Sequence, residues 1–230
     1  LLPARIVKSQ VFGKQFHTIR SGGAYLDPKY IDLFKKYDIV IQQGYGMTEC
    51  APVISVNQSW NIRSDSVGQL LPNCEAKTVD GELWVKGSSV MQGYYKMPEE
   101  TAETLEDGWL KTGDLGYVDE DGFVYLTGRK KNLIITKNGE NVSPEELENA
   151  LGTNRLVGEI LVREKDGVIE AEIYPDQDYV KKKRIKDVRE KLQEIIDEYN
   201  KTAAPQKRIY SLIVRDKEFE KTTTRKIKRF

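Results

Sequence analysis

Gln43-Gly44-Tyr45-Gly46-Met47-Thr48-Glu49 gathers two glycines, an aromatic ring, a hydroxyl and a carboxylate into one short loop. These are the parts of a nucleoside monophosphate site. Gly44 and Gly46 let the backbone turn tightly and approach a ligand. Tyr45 can stack on a base, Thr48 can bond a phosphate oxygen and Glu49 can hold a divalent cation. Taken alone, a Gly-x-Gly reads first as a turn after the buried strand Ile39-Val40-Ile41. A second run, Asp107-Gly108-Trp109-Leu110-Lys111-Thr112-Gly113-Asp114, precedes Gly128-Arg129-Lys130-Lys131. A carboxylate on a Gly-Asp turn accepts both hydroxyls of a ribose, and an arginine one hairpin later reaches the same sugar or a phosphate. The plain alternative is a β-hairpin with ordinary turn chemistry.

Composition removes several other chemistries. Lys plus Arg and Asp plus Glu number 36 each, so no global charge points to a nucleic acid or a membrane surface. The basic cluster Lys181 to Arg184 has no aromatic interleaving and reads as a solvated face. His17 is the only histidine, which leaves no His-based triad and no His-rich metal site. Cys50 and Cys74 lack C-x-x-C spacing and read as reduced and incidental. No apolar run of about eighteen residues is present, and the first residues lack a signal-peptide layout. The expectation is a cytoplasmic protein without a transmembrane segment.

The elements that must position these residues fall into three stretches. The first fifty residues read strand, turn, helix, strand, loop, with Asp27 and Pro28 as N-cap and first-turn residues and Ile31 and Phe34 on the inner face. After Pro52, short strands alternate with Asp80-Gly81 and Asp121-Gly122 turns, with a helix near Pro98 to Leu105. The last third opens with a capping box at Ser143-Pro144-Glu145-Glu146. It continues as a hairpin turning at Asp166-Gly167, an amphipathic helix through Ile185, Val188, Leu192, Ile195, Ile196 and Tyr199 that opens on the basic cluster, and a strand over Ile209 to Val214. The fold class is therefore α/β, then β-rich, then α+β. The division expected is 1–130, made of an α/β piece 1–57 and a β-rich subdomain 58–130, followed by an α+β domain 131–230.

In this order and spacing the motifs resemble those of the adenylate-forming superfamily, which includes acyl-CoA synthetases, firefly luciferase and peptide-synthetase adenylation domains. Gly44 to Glu49 is similar to the AMP-binding loop and Thr112-Gly113-Asp114 to the ribose motif. Arg129 to Glu148 resembles the hinge and the segment after it, and Lys221 to Ile227 the segment with the catalytic lysine. The stretch Gly46 to Asn57 and the ending Glu218 to Arg229 look like the C-terminal portion of long-chain fatty acid–CoA ligases.

The resemblance implies adenine packed against Gly22, Gly23, Ala24 and Tyr45 within a loop that includes Gly44, Gly46 and Met47. It places Thr48 on the α-phosphate, Glu49 on Mg2+, and Asp114 and Arg129 on the ribose. Lys131 falls at the hinge of a mobile small domain, Gly139 in the segment brought to the thiol channel, and Lys226 over the reacting carboxylate and α-phosphate. The implied partners are ATP, coenzyme A and a small-molecule carboxylic acid. The family's Ser/Thr- and Gly-rich phosphate loop has no counterpart here, so the chain is expected to be the C-terminal portion of a longer enzyme and inactive alone. The alternatives are a portion of a peptide-synthetase adenylation domain or acyl-AMP ligase serving a carrier protein, and a non-enzymatic AMP-binding module.

Overall fold

The computed structural model describes residues 4–223 and 227–229. They fall into two compact units, Leu1–Lys130 and Lys131–Phe230. The first begins with a helix absent from the sequence reading, α1 (Ala4–Val11), whose β-branched Ile6, Val7 and Val11 and missing acidic first turn give little helical signal. Its Lys8 is buried, with the ammonium bonded to Asp38 at 3.0 Å and to His17 at 2.9 Å.

Strand β1 (Thr18–Ser21) leads to α2 (Pro28–Lys35), which Asp27 caps by accepting the Lys29 N–H. Next comes β2 (Val40–Gly46), parallel to β1, with Ser21 opposite Gln43. The predicted loop Gln43 to Glu49 is therefore mostly strand, because the alternating burial of β2 runs on through Tyr45. Only Met47 onward leaves it, into a helical turn over Thr48–Cys50. Strands β3 (Val53–Val56) and β4 (Gln69–Leu70) complete a four-stranded sheet.

A five-stranded sheet follows: β5 (Cys74–Val79), β6 (Glu82–Gly87), β7 (Leu105–Glu106), β8 (Trp109–Val118) and β9 (Val124–Arg129), with α3 (Pro98–Thr104) before β7. Asp80-Gly81 and Asp107-Gly108 have positive φ at both residues, the geometry of tight hairpin turns. The Asp121-Gly122 turn lies in a longer loop, where the Asp119 carboxylate accepts the N–H groups of Asp121 and Phe123. Tyr45, Cys50 and Ile54 share one core with Cys74, Leu83, Val85, Leu110 and Val124, so the two sheets of this unit pack as one body.

The second unit opens with a small hairpin, β10 (Ile134–Ile135) and β11 (Asn141–Val142), then α4 (Pro144–Gly152). The capping box does not form. Ser143 is the N-cap but its hydroxyl donates to Glu145, while Glu146 is taken by the Lys207 ammonium. Strands β12 (Val157–Lys165) and β13 (Val168–Pro175) make the expected hairpin about Asp166-Gly167. The next stretch is two helices rather than one, α5 (Gln177–Lys183) and α6 (Val188–Thr202), before β14 (Ile209–Val214) pairs parallel to β13. The basic cluster accordingly ends α5 instead of opening α6. Arg184 takes a left-handed cap there, and Lys181 to Lys183 lie where the helix dipole favours cations.

Leu147, Leu151, Ile173, Leu192 and Ile196 form the centre of this unit's core. Leu147 is fully buried, whereas Tyr210 is 67% exposed. Leu147→Ala is expected to destabilise the second unit by about 2–5 kcal/mol in urea unfolding, with Tyr210→Ala close to neutral.

Candidate functional site

The carboxyl ends of parallel strands in an α/β sheet are the usual place for a ligand, and β1 and β2 end side by side. Gly22 follows β1 so closely against Gly44 that a Cβ on it would stand 3.1 Å from the Gly44 carbonyl oxygen. Gly23 and Ala24 continue outward, exposed. Gly46 ends β2 where the chain doubles back, and any side chain there would collide with the Pro52 carbonyl, which accepts the Met47 N–H at 2.8 Å.

Tyr45, 8% exposed, points into the shared core and donates its hydroxyl to Asp114 Oδ2 at 2.6 Å. Burial, then the negative charge of Asp114, drives the phenol far above its ordinary pKa, so it stays a donor. The other carboxylate oxygen of Asp114 meets Arg129 Nε at 2.6 Å. Asp114 and Arg129 are register partners on β8 and β9. Arg129 commits one edge of its guanidinium to this contact and is 46% exposed in its side chain, so the remaining donors face solvent.

Thr112-Gly113-Asp114 is not a turn. It is a bulge inside the ten-residue strand β8, because Trp84 pairs with Lys111 while Glu82, two residues away, pairs with Leu115. The extra residues re-aim the strand beside the site. Gly113 takes φ 69°, the Thr112 hydroxyl donates to the Leu83 carbonyl at 2.6 Å, and Thr112 Oγ1 accepts the Asp114 N–H at 3.1 Å. Glu82 completes the support, accepting the Gly113 N–H at 2.9 Å with one oxygen and the Lys130 ammonium at 2.9 Å with the other. Burial alone would raise the Glu82 carboxyl, but Lys130 and the Gly113 N–H outweigh it and hold it below the usual carboxylate range.

Thr48 is exposed on the turn after β2, and Glu49 beside it accepts the Tyr94 hydroxyl at 2.8 Å. Burial and the Glu49 charge together raise the Tyr94 phenol. Glu82 and Tyr94 were missed in the sequence. The available signals were an acid opening the apolar run Glu82-Leu83-Trp84-Val85 and a Tyr94-Tyr95 pair after Gly93, of which Tyr95 is 84% exposed and only Tyr94 engages Glu49.

The remaining candidates belong to the second unit. Lys131 is exposed in a helical turn over Lys130–Asn132 that spans the junction of the two units. Gly139, φ 78°, stands in the loop between β10 and β11, its N–H bonded to the Thr136 carbonyl. Lys226 lies outside the described residues. The chain on either side is held by a bridge between Lys221 and Ile227 and by the Lys228 N–H on the Glu220 carbonyl at 2.9 Å. Among the described residues no helix is long and apolar enough to cross a membrane.

The carboxylate of Asp114, gripped by Tyr45 and Arg129, thus lies buried where β2 ends. Comparisons with known proteins identify the family. Residues 4–95 match the model of the AMP-binding enzyme family, and residues 131–230 match that of the AMP-binding enzyme C-terminal domain. A long-chain-fatty-acid–CoA ligase of Mycobacterium bovis is 39% identical over 143 residues, covering 62% of this chain and 24% of the ligase. A 4-coumarate–CoA ligase-like protein of Oryza sativa subsp. japonica is 43% identical over 165 residues, covering 64% of this chain and 30% of that protein. Among solved structures, o-succinylbenzoate CoA synthetase of Bacillus subtilis in complex with its acyl-adenylate superposes with TM-score 0.77 at 29% identity, over 91% of this chain and 44% of the synthetase. The chain belongs to the adenylate-forming, AMP-binding enzyme family. It spans between 24% and 30% of the length of these two curated relatives.

Glu82 supplies a pH-dependent check on the bulge. A carboxyl held low in the fold contributes stability above its unfolded value of about 4.3 and loses it as pH falls through the folded value. Glu82→Gln is expected to lower the melting temperature near neutral pH, with the gap to the parent chain narrowing as the solution is acidified below that value. A gap independent of pH would show that the carboxylate charge does not support the bulge.

Proposed function

We propose that this chain provides the nucleoside-holding part and the small C-terminal domain of an ATP-dependent acid–thiol ligase. The observation that carries this reading is the Tyr45–Asp114–Arg129 chain of contacts at the end of β2. In the first half-reaction a carboxylate attacks the α-phosphate of ATP, giving an acyl adenylate and pyrophosphate. In the second, the thiol of coenzyme A attacks the acyl carbon and AMP leaves.

Asp114 accepts the ribose hydroxyls, and Arg129 donates to the sugar from its exposed edge. Gly22, Gly23, Ala24 and Tyr45 are the residues this reading gives to adenine. Thr48 donates to the α-phosphate. Among the described residues no group of three or more acidic, cysteine or histidine side chains could cage a metal. The donor set suits Mg2+ nonetheless, since that ion takes one or two carboxylates with substrate phosphates and waters, and Glu49 is a single carboxylate oriented by Tyr94. The ion, when bound, neutralises phosphate charge. Lys226 places a compact ammonium over the charge that shifts during adenylation, without giving up a proton. Lys131 is the hinge, and Gly139 lies on the loop that meets the thiol.

Support for a long-chain fatty acid comes from the stretch Gly46 to Asn57, the ending Glu218 to Arg229, and the relatives named as long-chain-fatty-acid–CoA ligases. A solved structure of the Bacillus subtilis synthetase holds ATP and a magnesium ion. The 230 residues contain no Ser/Thr- and Gly-rich phosphate loop, and on this reading the chain by itself lacks full adenylation activity.

Titration calorimetry of this chain with AMP is expected to show binding that Asp114→Asn weakens by about tenfold or more, the scale of a lost charge-assisted bond. Unchanged affinity would remove Asp114 from the ribose. In the full-length parent, ATP–pyrophosphate exchange is expected with palmitate, and Lys226→Ala should abolish it while sparing thioester formation from supplied acyl adenylate. Exchange with 4-coumarate in place of palmitate would overturn the fatty-acid assignment.

A further inference from the structure

Arg229 is given no role in the reading above, yet it holds two ion pairs at the end of the described residues. Its side chain is 20% exposed and its guanidinium joins two carboxylates of α4, Glu148 at 2.5 Å and Glu145 at 3.4 Å. These acids lie three residues apart, on one face of the helix, where like charges repel unless a cation stands between them. Glu148 is 13% exposed and spends its second oxygen on the Val162 N–H of β12 at 2.7 Å. Glu145 accepts from the Asn132 side-chain amide at 2.5 Å and from the Ser143 hydroxyl at 3.0 Å. One arginine thus ties the end of the chain to α4, to β12 and to the residue that follows Lys131.

The stretch just before Arg229 is anchored as well. Lys221 bridges to Ile227 and its ammonium bonds both Glu159 and Glu218, and the Phe219 N–H donates to Glu159 at 2.8 Å. The segment bearing Lys226 is therefore fastened on its N-terminal side to β12 and on its C-terminal side to α4. Both carboxylates of this second fastening are met by one guanidinium nitrogen, Nη2, which stands between them.

We infer that the Arg229 clasp on Glu145 and Glu148 is a positioning device for the adenylation half-reaction, setting the register of the segment that carries Lys226. The inference rests on the role given to Lys226 under the proposed function. A reacting group displaced by about 1 Å loses on the order of 100-fold in rate, so a loosened clasp lowers adenylation without touching the step that does not use Lys226.

The test compares Arg229→Ala, Arg229→Lys and Lys226→Ala in the full-length parent. Each is assayed for ATP–pyrophosphate exchange and for thioester formation from supplied acyl adenylate and coenzyme A, with amide hydrogen exchange measured alongside. Arg229→Ala is expected to lower kcat of pyrophosphate exchange by about 100-fold with KM for ATP unchanged and thioester formation retained. Arg229→Lys should recover part of the loss. Faster hydrogen exchange should be confined to residues 218–229, with β12, β13 and α6 still protected. Two results would overturn the inference: parental adenylation in Arg229→Ala, or equal loss of both half-reactions with protection lost throughout the second unit, which marks a purely structural salt bridge. A Lys226→Ala enzyme that keeps pyrophosphate exchange would instead remove the reading of Lys226, and the clasp's role with it.

Discussion

The buried carboxylate of Asp114 is the interaction on which the first unit depends. Its side chain is 6% exposed, and a carboxylate withdrawn from water that far is stable only with donors on it. Tyr45 brings one from the end of the four-stranded sheet and Arg129 brings the other from β9 of the five-stranded sheet. The same three residues that satisfy the charge also seam two sheets of different topology across a shared apolar core. Where they meet is fixed by the strands, so the edge left open to a ligand is fixed too. A site built on strands holds its geometry more tightly than one built on loops.

What brings Asp114 to that seam is a strand that breaks its own pattern. Along β8, buried and half-buried residues alternate up to Asp114, and then Asp114, Leu115 and Gly116 are buried in succession. A regular ladder cannot bury three consecutive side chains on one face. The bulge opposite Leu83 resolves the conflict, at the expense of freeing the N–H groups of Gly113 and Asp114 from β6. Glu82 and Thr112 take those two groups. Asp114 is thus positioned by a second carboxylate, Glu82, whose own charge is answered by Lys130, so three charged groups from three places in the chain must agree for one to be correctly aimed.

Local signals carried the sequence reading where structure is local. Asp27 caps α2, and Asp80-Gly81 and Asp166-Gly167 make turns, because each motif acts on residues within four positions of itself. Non-local choices defeated it. Ser143-x-x-Glu146 has the spacing of a capping box, but Glu145 and Lys207 offer the two side chains better partners. The Thr112-Gly113-Asp114 run looks like a turn until β6 is seen to run beside it. The break between α5 and α6 at Arg184 left no glycine or proline to announce it. At the site, Tyr45, Asp114 and Arg129 were singled out by residue type and order, but the bond of the Tyr45 hydroxyl to Asp114 was not expected, because Tyr45 was read only as a ring for the base. Glu82 and Tyr94 were not, since their roles lie in what they hold in place.

A difference in construction between the two units follows from what each is proposed to do. Binding a nucleoside demands that donors wait in position before the ligand arrives, since ordering them afterwards would cost affinity. Asp114 and Tyr45 meet that demand by burial. Chemistry at an α-phosphate and then with a thiol at the acyl carbon demands instead that two different groups serve the same site in turn, which a single rigid wall cannot offer. Gly139, exposed on a hairpin loop, and the segment whose flanks Lys221 and Ile227 bridge to each other are suited to being carried as cargo on a well-packed body. The core of Leu147, Ile173 and Leu192 supplies that body. On that proposal the second unit places a rigid core beneath the segments it carries, and the arginine clasp is the point where that rigidity is passed on.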